Sequence, residues 1–114
     1  MKPIEILRTL TTKENLLAHA ALHGDMAKVV VDIARDILAI GGEMHADEEQ
    51  LLLQDGSVQG NLWGANVYPD RSSDDRIEFT SLINIRPRSG NRSMEISDIA
   101  IQQKVQEVID RLIP

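Results

Sequence analysis

Residues 26–42, MAKVVVDIARDILAIGG, determine which fold class the chain can adopt, because they fit two incompatible structures. Their apolar residues recur at helical spacing, which predicts one long helix with a charged opposite face: Met26, Val29, Val30, Ile33, Ile37 and Ile40. The three consecutive valines favour strands instead, since β-branched side chains lose rotamers in a helix. The second structure is a β-hairpin that turns at residues 34–36, and the residue pattern leaves both open.

The segments on either side carry their own helix and strand signals. Residues 4–8, IEILR, fit a short edge strand, and a helix follows whose start has the capping-box spacing of Thr11 and Glu14. Residues 46–54 fit a short helix with acidic residues in its first turn, where the helix dipole favours them. Ser97 is expected to cap a last helix that ends near Leu112.

A second hairpin is predicted from LWGANVYP, residues 62–69, and RIEFTSLINIRP, residues 76–87. A turn near Ser72 places the apolar residues of both strands on one side of the sheet. The predicted pairs are Val67 with Ile77, Ala65 with Phe79, and Trp63 with Ser81. The predicted core set is Phe79, Ile83, Ile85, Val105 and Ile109.

Three motifs resemble those of a family of short, uncharacterised prokaryotic proteins, known as a domain of unknown function. They are GGEMHAD at residues 41–47, LWGANVYP, and SLINIRPRSGNRS at residues 81–93, and the resemblance covers about residues 26–113. The resemblance implies a hairpin over residues 27–42, because the family carries Arg-Gly where this chain has Arg35 and Asp36. It implies no activity.

Length and composition restrict the possible classes of protein. The 114 residues suffice for a single α+β domain over residues 1–114, with an antiparallel sheet of four to five strands and helices packed mainly on one face. The absence of cysteine excludes disulfides and thiolate metal sites. No apolar run approaches the ~20 residues of a membrane span, so we expect a cytoplasmic protein. A net charge of −6 argues against non-specific nucleic-acid binding.

The strongest candidate site is INIRPRSGNRS, residues 83–93, which gathers three arginines and no acid in an acidic chain. Guanidinium groups match carboxylates and phosphates bidentately, so Arg86, Arg88 and Arg92, with Asn91, could receive an anion. Pro87 and Gly90 predict a rigid, sharply turned loop. In the other interpretation the arginines neutralise the acids of GGEMHADEEQ, residues 41–50.

Other polar residues are weaker candidates for a functional site. Glu43, His45 and Asp47 alternate, so on an extended strand they would share a face suited to a divalent cation or to acid–base chemistry. They fit a solvated junction before a helix better. His19 and His23 lie one helical turn apart but lack further ligands, so we expect no specific metal site there. Asn66 and Asn84, polar and mid-strand, suggest either a polar cleft or an ordinary solvated face.

Two hypotheses of function follow. In the first, a small anionic ligand or a nucleic-acid phosphate binds at residues 83–93, which are called the arginine loop below. The candidate binding residues are Arg86, Arg88, Asn91, Arg92, Asn84, Asn66, His45 and Glu43. In the second, the chain docks a protein partner or a second copy of itself and catalyses nothing. The sequence carries no Walker loop, dinucleotide fingerprint or nucleophile elbow, and it assigns neither a cofactor nor a reaction.

Overall fold

The computed structural model describes residues 2–114 and shows an antiparallel five-stranded sheet with three α-helices. The strands are β1 Glu5–Leu7, β2 Ala27–Asp32, β3 Ile37–Ile40, β4 Leu62–Val67 and β5 Ile77–Glu78. The helices are α1 Lys13–Ala20, α2 His45–Gln54 and α3 Ile99–Leu112. The strand order is β1-β3-β2-β4-β5, and the predicted α+β class and strand number are confirmed.

Residues 26–42 form the hairpin, so β-branching outweighed helical spacing. In the β2–β3 ladder Val30 pairs with Ala39. Asp32 organises the turn, because its Oδ1 accepts hydrogen bonds of 2.9 Å from the backbone N–H groups of Ala34 and Arg35. Asp36 adopts a φ of 58°, the left-handed conformation that a glycine would adopt without strain.

Both faces of the sheet are covered. Helices α1 and α3 pack on the face that carries Val29 and Val31, whereas α2 packs on the face that carries Val30. Two of the three helices therefore share a face, and the third lies opposite. Strands β2 and β3 are buried on both sides, and this explains why their sequence is almost continuously apolar and imitates a helix.

The β4–β5 hairpin forms in the predicted register but is much shorter than predicted. Val67 pairs with Ile77 and Asn66 pairs with Glu78, and the ladder ends at this second pair. The expected pairs of Ala65 with Phe79 and of Trp63 with Ser81 are wrong. The chain turns away from the sheet after Glu78, where the Thr80 N–H donates to the Glu78 carbonyl at 3.0 Å. A 3₁₀ turn follows, and at its start the Ser81 hydroxyl accepts a hydrogen bond of 3.2 Å from the Ile83 N–H.

The early end of β5 also corrects the predicted core. Phe79, Val105 and Ile109 pack in one cluster with the α1 and α3 face, as expected. Ile83 packs against the opposite face with α2, and Ile85 is 42% exposed. Two-residue alternation no longer applies once the backbone turns into a 3₁₀ conformation, so these two isoleucines point elsewhere.

The helix ends lie one residue away from the predicted caps. Thr12, rather than Thr11, caps α1 by accepting from the Asn15 N–H at 3.0 Å. Asp98, rather than Ser97, caps α3 by accepting from the Ala100 N–H at 2.8 Å. Both caps use the predicted chemistry, a short side-chain oxygen on an orphan helical N–H.

Candidate functional site

The arginine loop is held in one conformation by its own backbone. Arg86 and Asn91 exchange two hydrogen bonds, 2.7 Å from the Arg86 N–H and 3.1 Å from the Asn91 N–H. Between them Pro87–Ser89 form a 3₁₀ turn, and Gly90 has a φ of 82°. The rigid, sharply turned loop expected from Pro87 and Gly90 is therefore present.

The asparagines of this region hold the backbone and are not free to bind a ligand. The Asn84 side chain accepts from the Gly64 N–H at 2.8 Å and donates to the Gly64 carbonyl at 3.0 Å. The two N–H groups of Asn91 Nδ2 are shared among three backbone carbonyls within 3.0 Å, and its Oδ1 accepts from the Ser97 N–H at 2.8 Å. Both side chains are buried, so their interpretation as ligand donors is corrected.

Arg86 lies between the loop, helix α2 and the indole of Trp63. Its Nη2 is 3.4 Å from Glu49 Oε2, and its Cζ lies 4.9 Å from the centre of the Trp63 ring. Burial lowers the pKa of Arg86, and the nearby Glu49 carboxylate partly offsets that effect. Within the described residues, Arg86 Nη1 and Trp63 Nε1 are buried and have no hydrogen-bond partner.

Arg86 and Arg88 share a cleft of about 460 Å³ beside the loop, which Gln59, Gly60, Pro87 and Ser89 also line. Asn91 lines a separate cleft with Trp63. Arg92 is exposed and does not line the cleft. The structure thus brings together two of the three arginines, without the predicted Asn91.

His45 is the first residue of α2. It does not line the cleft of Arg86 and Arg88, which is called the arginine cleft below. Glu43, His45 and Asp47 lie at the junction before a helix, the interpretation that the sequence favoured over a shared strand face, since the backbone turns helical at His45. Glu43 and Asp47 are exposed, whereas the His45 ring lines a second pocket of about 310 Å³. Asn66 lines the same pocket, so the two predicted polar residues do meet there.

The environment of His45 keeps its ring neutral. Burial lowers its pKa, and a hydrogen bond to the Ala65 carbonyl, 2.9 Å from Nε2, opposes the shift only in part. A carbonyl oxygen can only accept, so Nε2 carries the proton and Nδ1 has a lone pair. His45 at neutral pH is therefore a hydrogen-bonding group without charge.

The buried carboxyl group of Glu48 was not predicted from the sequence. This side chain is fully buried on α2, where its Oε2 accepts from the Gly42 N–H at 2.9 Å and its Oε1 has no partner. Burial raises the pKa of Glu48 well above its ordinary value of 4.5. Glu48 precedes the buried Leu52 by four residues, so helical spacing was the available signal.

His19 and His23 contact separate partners. His19 Nε2 is 2.6 Å from Glu5 Oε2, and His23 Nε2 is 3.1 Å from the Gly42 carbonyl. Burial raises the pKa of Glu5, but the hydrogen bonds from His19 and Asn15 outweigh it, and the pKa is lowered. Among residues 2–114, no group of three or more acidic or histidine side chains could hold a metal ion.

Comparison with known proteins gives one match. A family model described as "Protein of unknown function (DUF5674)" matches residues 5–112. No curated protein and no solved structure matches the chain. Over residues 2–114, no helix has both the length and the apolar character needed to cross a membrane.

Proposed function

Because the chain belongs to the DUF5674 family of unknown function, no activity follows from its family, and we propose that it binds a small anionic molecule in the cleft between Arg86 and Arg88. The ligand class is a carboxylate or a phosphate. A cytoplasmic location is part of the same proposal, in keeping with a chain that has no cysteine.

The observation that carries the proposal is a buried donor without an acceptor, the Nη1 of Arg86, whose side chain lines the cleft. Trp63 Nε1 is also unpaired, but Trp63 lines the separate cleft with Asn91. Leaving a buried donor unpaired costs about 1–3 kcal/mol, so native proteins rarely do it. An anionic oxygen that accepts from Arg86 removes this cost for the guanidinium.

The charge around the cleft supports an anion. Glu49 is the acidic partner of Arg86, and its single contact of 3.4 Å is longer than a good charge-assisted hydrogen bond. Arg88 has no ion pair among the described residues and faces the same cleft. Two guanidinium groups against one carboxylate leave a local positive charge in a chain of net −6.

The competing interpretation is that Arg86 only ties the loop to α2. A structural arginine of this kind is usually bidentate to its carboxylate, because the fork then satisfies both Nη atoms. Here the Nη2 contact is long and Nη1 is unpaired. The geometry therefore favours a site that is completed by a ligand.

The test is isothermal titration calorimetry with inorganic phosphate, pyrophosphate and citrate. We expect Arg88→Gln to weaken binding about tenfold, because a charge-assisted contact contributes about 1.5 kcal/mol or more. Arg71→Gln is the matched control, since Arg71 is an exposed arginine stacked on Tyr68 and should leave binding unchanged. If neither phosphate nor citrate binds, or if both variants bind equally, the proposal is wrong.

A second hypothesis, a protein-interaction module, is supported by a different observation. Met44, Leu82 and Met94 are large apolar residues that remain exposed around the His45 pocket. Exposed apolar patches often mark interaction surfaces. Sedimentation analysis over a wide range of protein concentration distinguishes a self-associating chain from a monomer.

A further inference from the structure

The pocket beside His45 combines apolar walls with a polar floor. It lies between the start of α2, the end of β4 and the segment that follows β5. Met44, Leu82 and Met94 form the exposed part of its walls. Methionine side chains are flexible and polarisable, so they adapt to aliphatic groups of different shape.

Lys28 and Asn66 lie side by side on the floor. They are register partners in the β2–β4 ladder, and such partners have Cβ atoms about 5 Å apart on the same sheet face. Lys28 is half-buried and has no ion pair in the part of the chain that the structure describes. Lys28 is also the only lining residue with a formal charge, because His45 is neutral.

Asn66 supplies an unsatisfied acceptor. Its Nδ2 donates to Glu78 Oε1 at 2.9 Å, and this bond fixes the orientation of the amide. Its Oδ1 is buried and makes no hydrogen bond of good geometry among residues 2–114. The neighbouring His45 ring interacts with the Asn66 amide, which raises the pKa of His45 less than burial lowers it. The floor of the pocket therefore offers an ammonium group that lacks an anion and a carbonyl oxygen that lacks a donor.

We propose that this pocket binds a small aliphatic carboxylate that carries a hydroxyl group next to its head. The carboxylate pairs with Lys28, the hydroxyl donates to Asn66 Oδ1, and the aliphatic chain lies among the methionines. A volume of about 310 Å³ is at the lower end of ligand pockets, which suits a ligand of this size.

The polar floor also favours a small molecule over a protein surface. A flat apolar partner that covered Met44, Leu82 and Met94 would seal Lys28 beneath it without an anion, and a buried unpaired charge is strongly unfavourable. The site is separate from the arginine cleft, whose lining residues are all different. The inference therefore does not depend on the function proposed above.

The test is an NMR titration of the ¹⁵N-labelled chain with 3-hydroxyoctanoate, octanoate and 1-octanol. We expect 3-hydroxyoctanoate to shift the amide signals of residues 44–46, and 1-octanol to bind about tenfold more weakly because it has no charge. Octanoate should fall between the two, since it lacks the donor for Asn66. Arg71→Gln, at an exposed arginine that lines neither this pocket nor the arginine cleft, should leave all three affinities unchanged.

Three variants make the test specific. Lys28→Met keeps the length of the side chain without its charge and should weaken 3-hydroxyoctanoate about fivefold or more. Lys13→Met is the matched control, because Lys13 is an exposed lysine remote from the pocket. Ala46→Phe adds a ring at an exposed lining position, so it should block binding without disturbing the core.

Equal binding of 1-octanol and 3-hydroxyoctanoate would overturn the proposal, as would unchanged binding in Lys28→Met or in Ala46→Phe. Sedimentation analysis tests whether the chain instead forms a dimer through this surface. A concentration-dependent dimer that Ala46→Phe dissociates would assign the surface to a second copy of the chain, and the small-molecule proposal would then be wrong.

Discussion

At the residue scale, the most unusual group is the carboxyl of Glu48. It is fully buried, and one backbone N–H is its hydrogen-bond donor. Burial raises its pKa well above 4.5, so the folded chain holds a proton that the unfolded chain releases near that pH. Because the folded and unfolded chains then bind different numbers of protons, the free energy of unfolding depends on pH.

We expect Glu48 to destabilise the fold progressively as pH rises above about 4.5, because the unfolded state then binds fewer protons than the folded state. The maximal slope for one group is about 1.4 kcal/mol per pH unit. Glu48→Gln keeps an acceptor for the Gly42 N–H and cannot ionise. It should therefore flatten the decline in the free energy of unfolding between pH 5 and 7.

Urea denaturation at several pH values measures this effect. Glu43→Gln is the control, since Glu43 is an exposed glutamate just before the same helix. Below pH 4 both variants should lose stability, because hydrogen bonds from Arg8 and Arg35 lower the pKa of Asp55, and that stabilisation disappears as Asp55 is protonated. A slope above pH 5 that is unchanged in Glu48→Gln would contradict the raised pKa.

At the element scale, the side chain of Asn84 makes the hydrogen bonds with β4 that a longer strand β5 would make. Strand β5 ends after two residues, which leaves the Gly64 N–H and carbonyl of β4 without a backbone partner. The Asn84 amide pairs with both of them, as a neighbouring strand would do. Gly64 permits the close approach of the segment that carries this amide, since a Cβ there would lie 2.5 Å from the Ser81 Cβ.

Removing this amide should be costly. Asn84→Ala leaves two buried backbone groups of Gly64 unpaired, and we expect a loss of about 3 kcal/mol in the free energy of unfolding. Asn61→Ala is the control, because the Asn61 side chain makes no hydrogen bond among the described residues and should cost under about 1 kcal/mol. Chemical denaturation measures both; equal losses would show that the amide does not replace the strand.

The same elements show what the sequence could and could not predict. The residue pattern left the β2–β3 hairpin open against a helix, and the family resemblance decided for the hairpin. The start of the β4–β5 register followed from the alternation of Trp63, Ala65 and Val67. The end of β5 did not, because it depends on contacts between Ser81, Asn84 and Gly64, which only the folded chain brings together. The arginine loop was foreseen as a rigid turn, but its asparagines were misjudged for the same reason.

The candidate sites also include residues that the sequence could predict and residues that it could not. Arg86 and Arg88 were found because charge is visible in a sequence, and a cluster of arginines is conspicuous in an acidic chain. Lys28 was missed, because a lone lysine in a strand has no local signature. Its importance arises from the Asn66 amide across the ladder, and from the lack of an acid among the pocket's lining residues that the structure describes.

At the scale of the whole molecule, the central fact is a sheet that is buried on both faces. Val31 packs in the cluster of α1 and α3, and Val30 packs in the cluster of α2; both are fully buried. A sheet with helices on one face would leave alternate residues in water. Here adjacent residues of β2 contribute to two separate cores, and both proposed sites lie at the borders of the face that α2 covers.

We therefore expect Val30→Ala and Val31→Ala to destabilise the chain by similar amounts, about 2 kcal/mol each, from lost burial and the small cavities that remain. Val58→Ala is the matched control, since Val58 is 65% exposed and should change stability by under about 0.5 kcal/mol. Urea denaturation of the three variants gives the comparison. A Val30 variant as stable as the control would mean that α2 does not seal its face, and the pocket at the start of α2 would then lose its supporting wall.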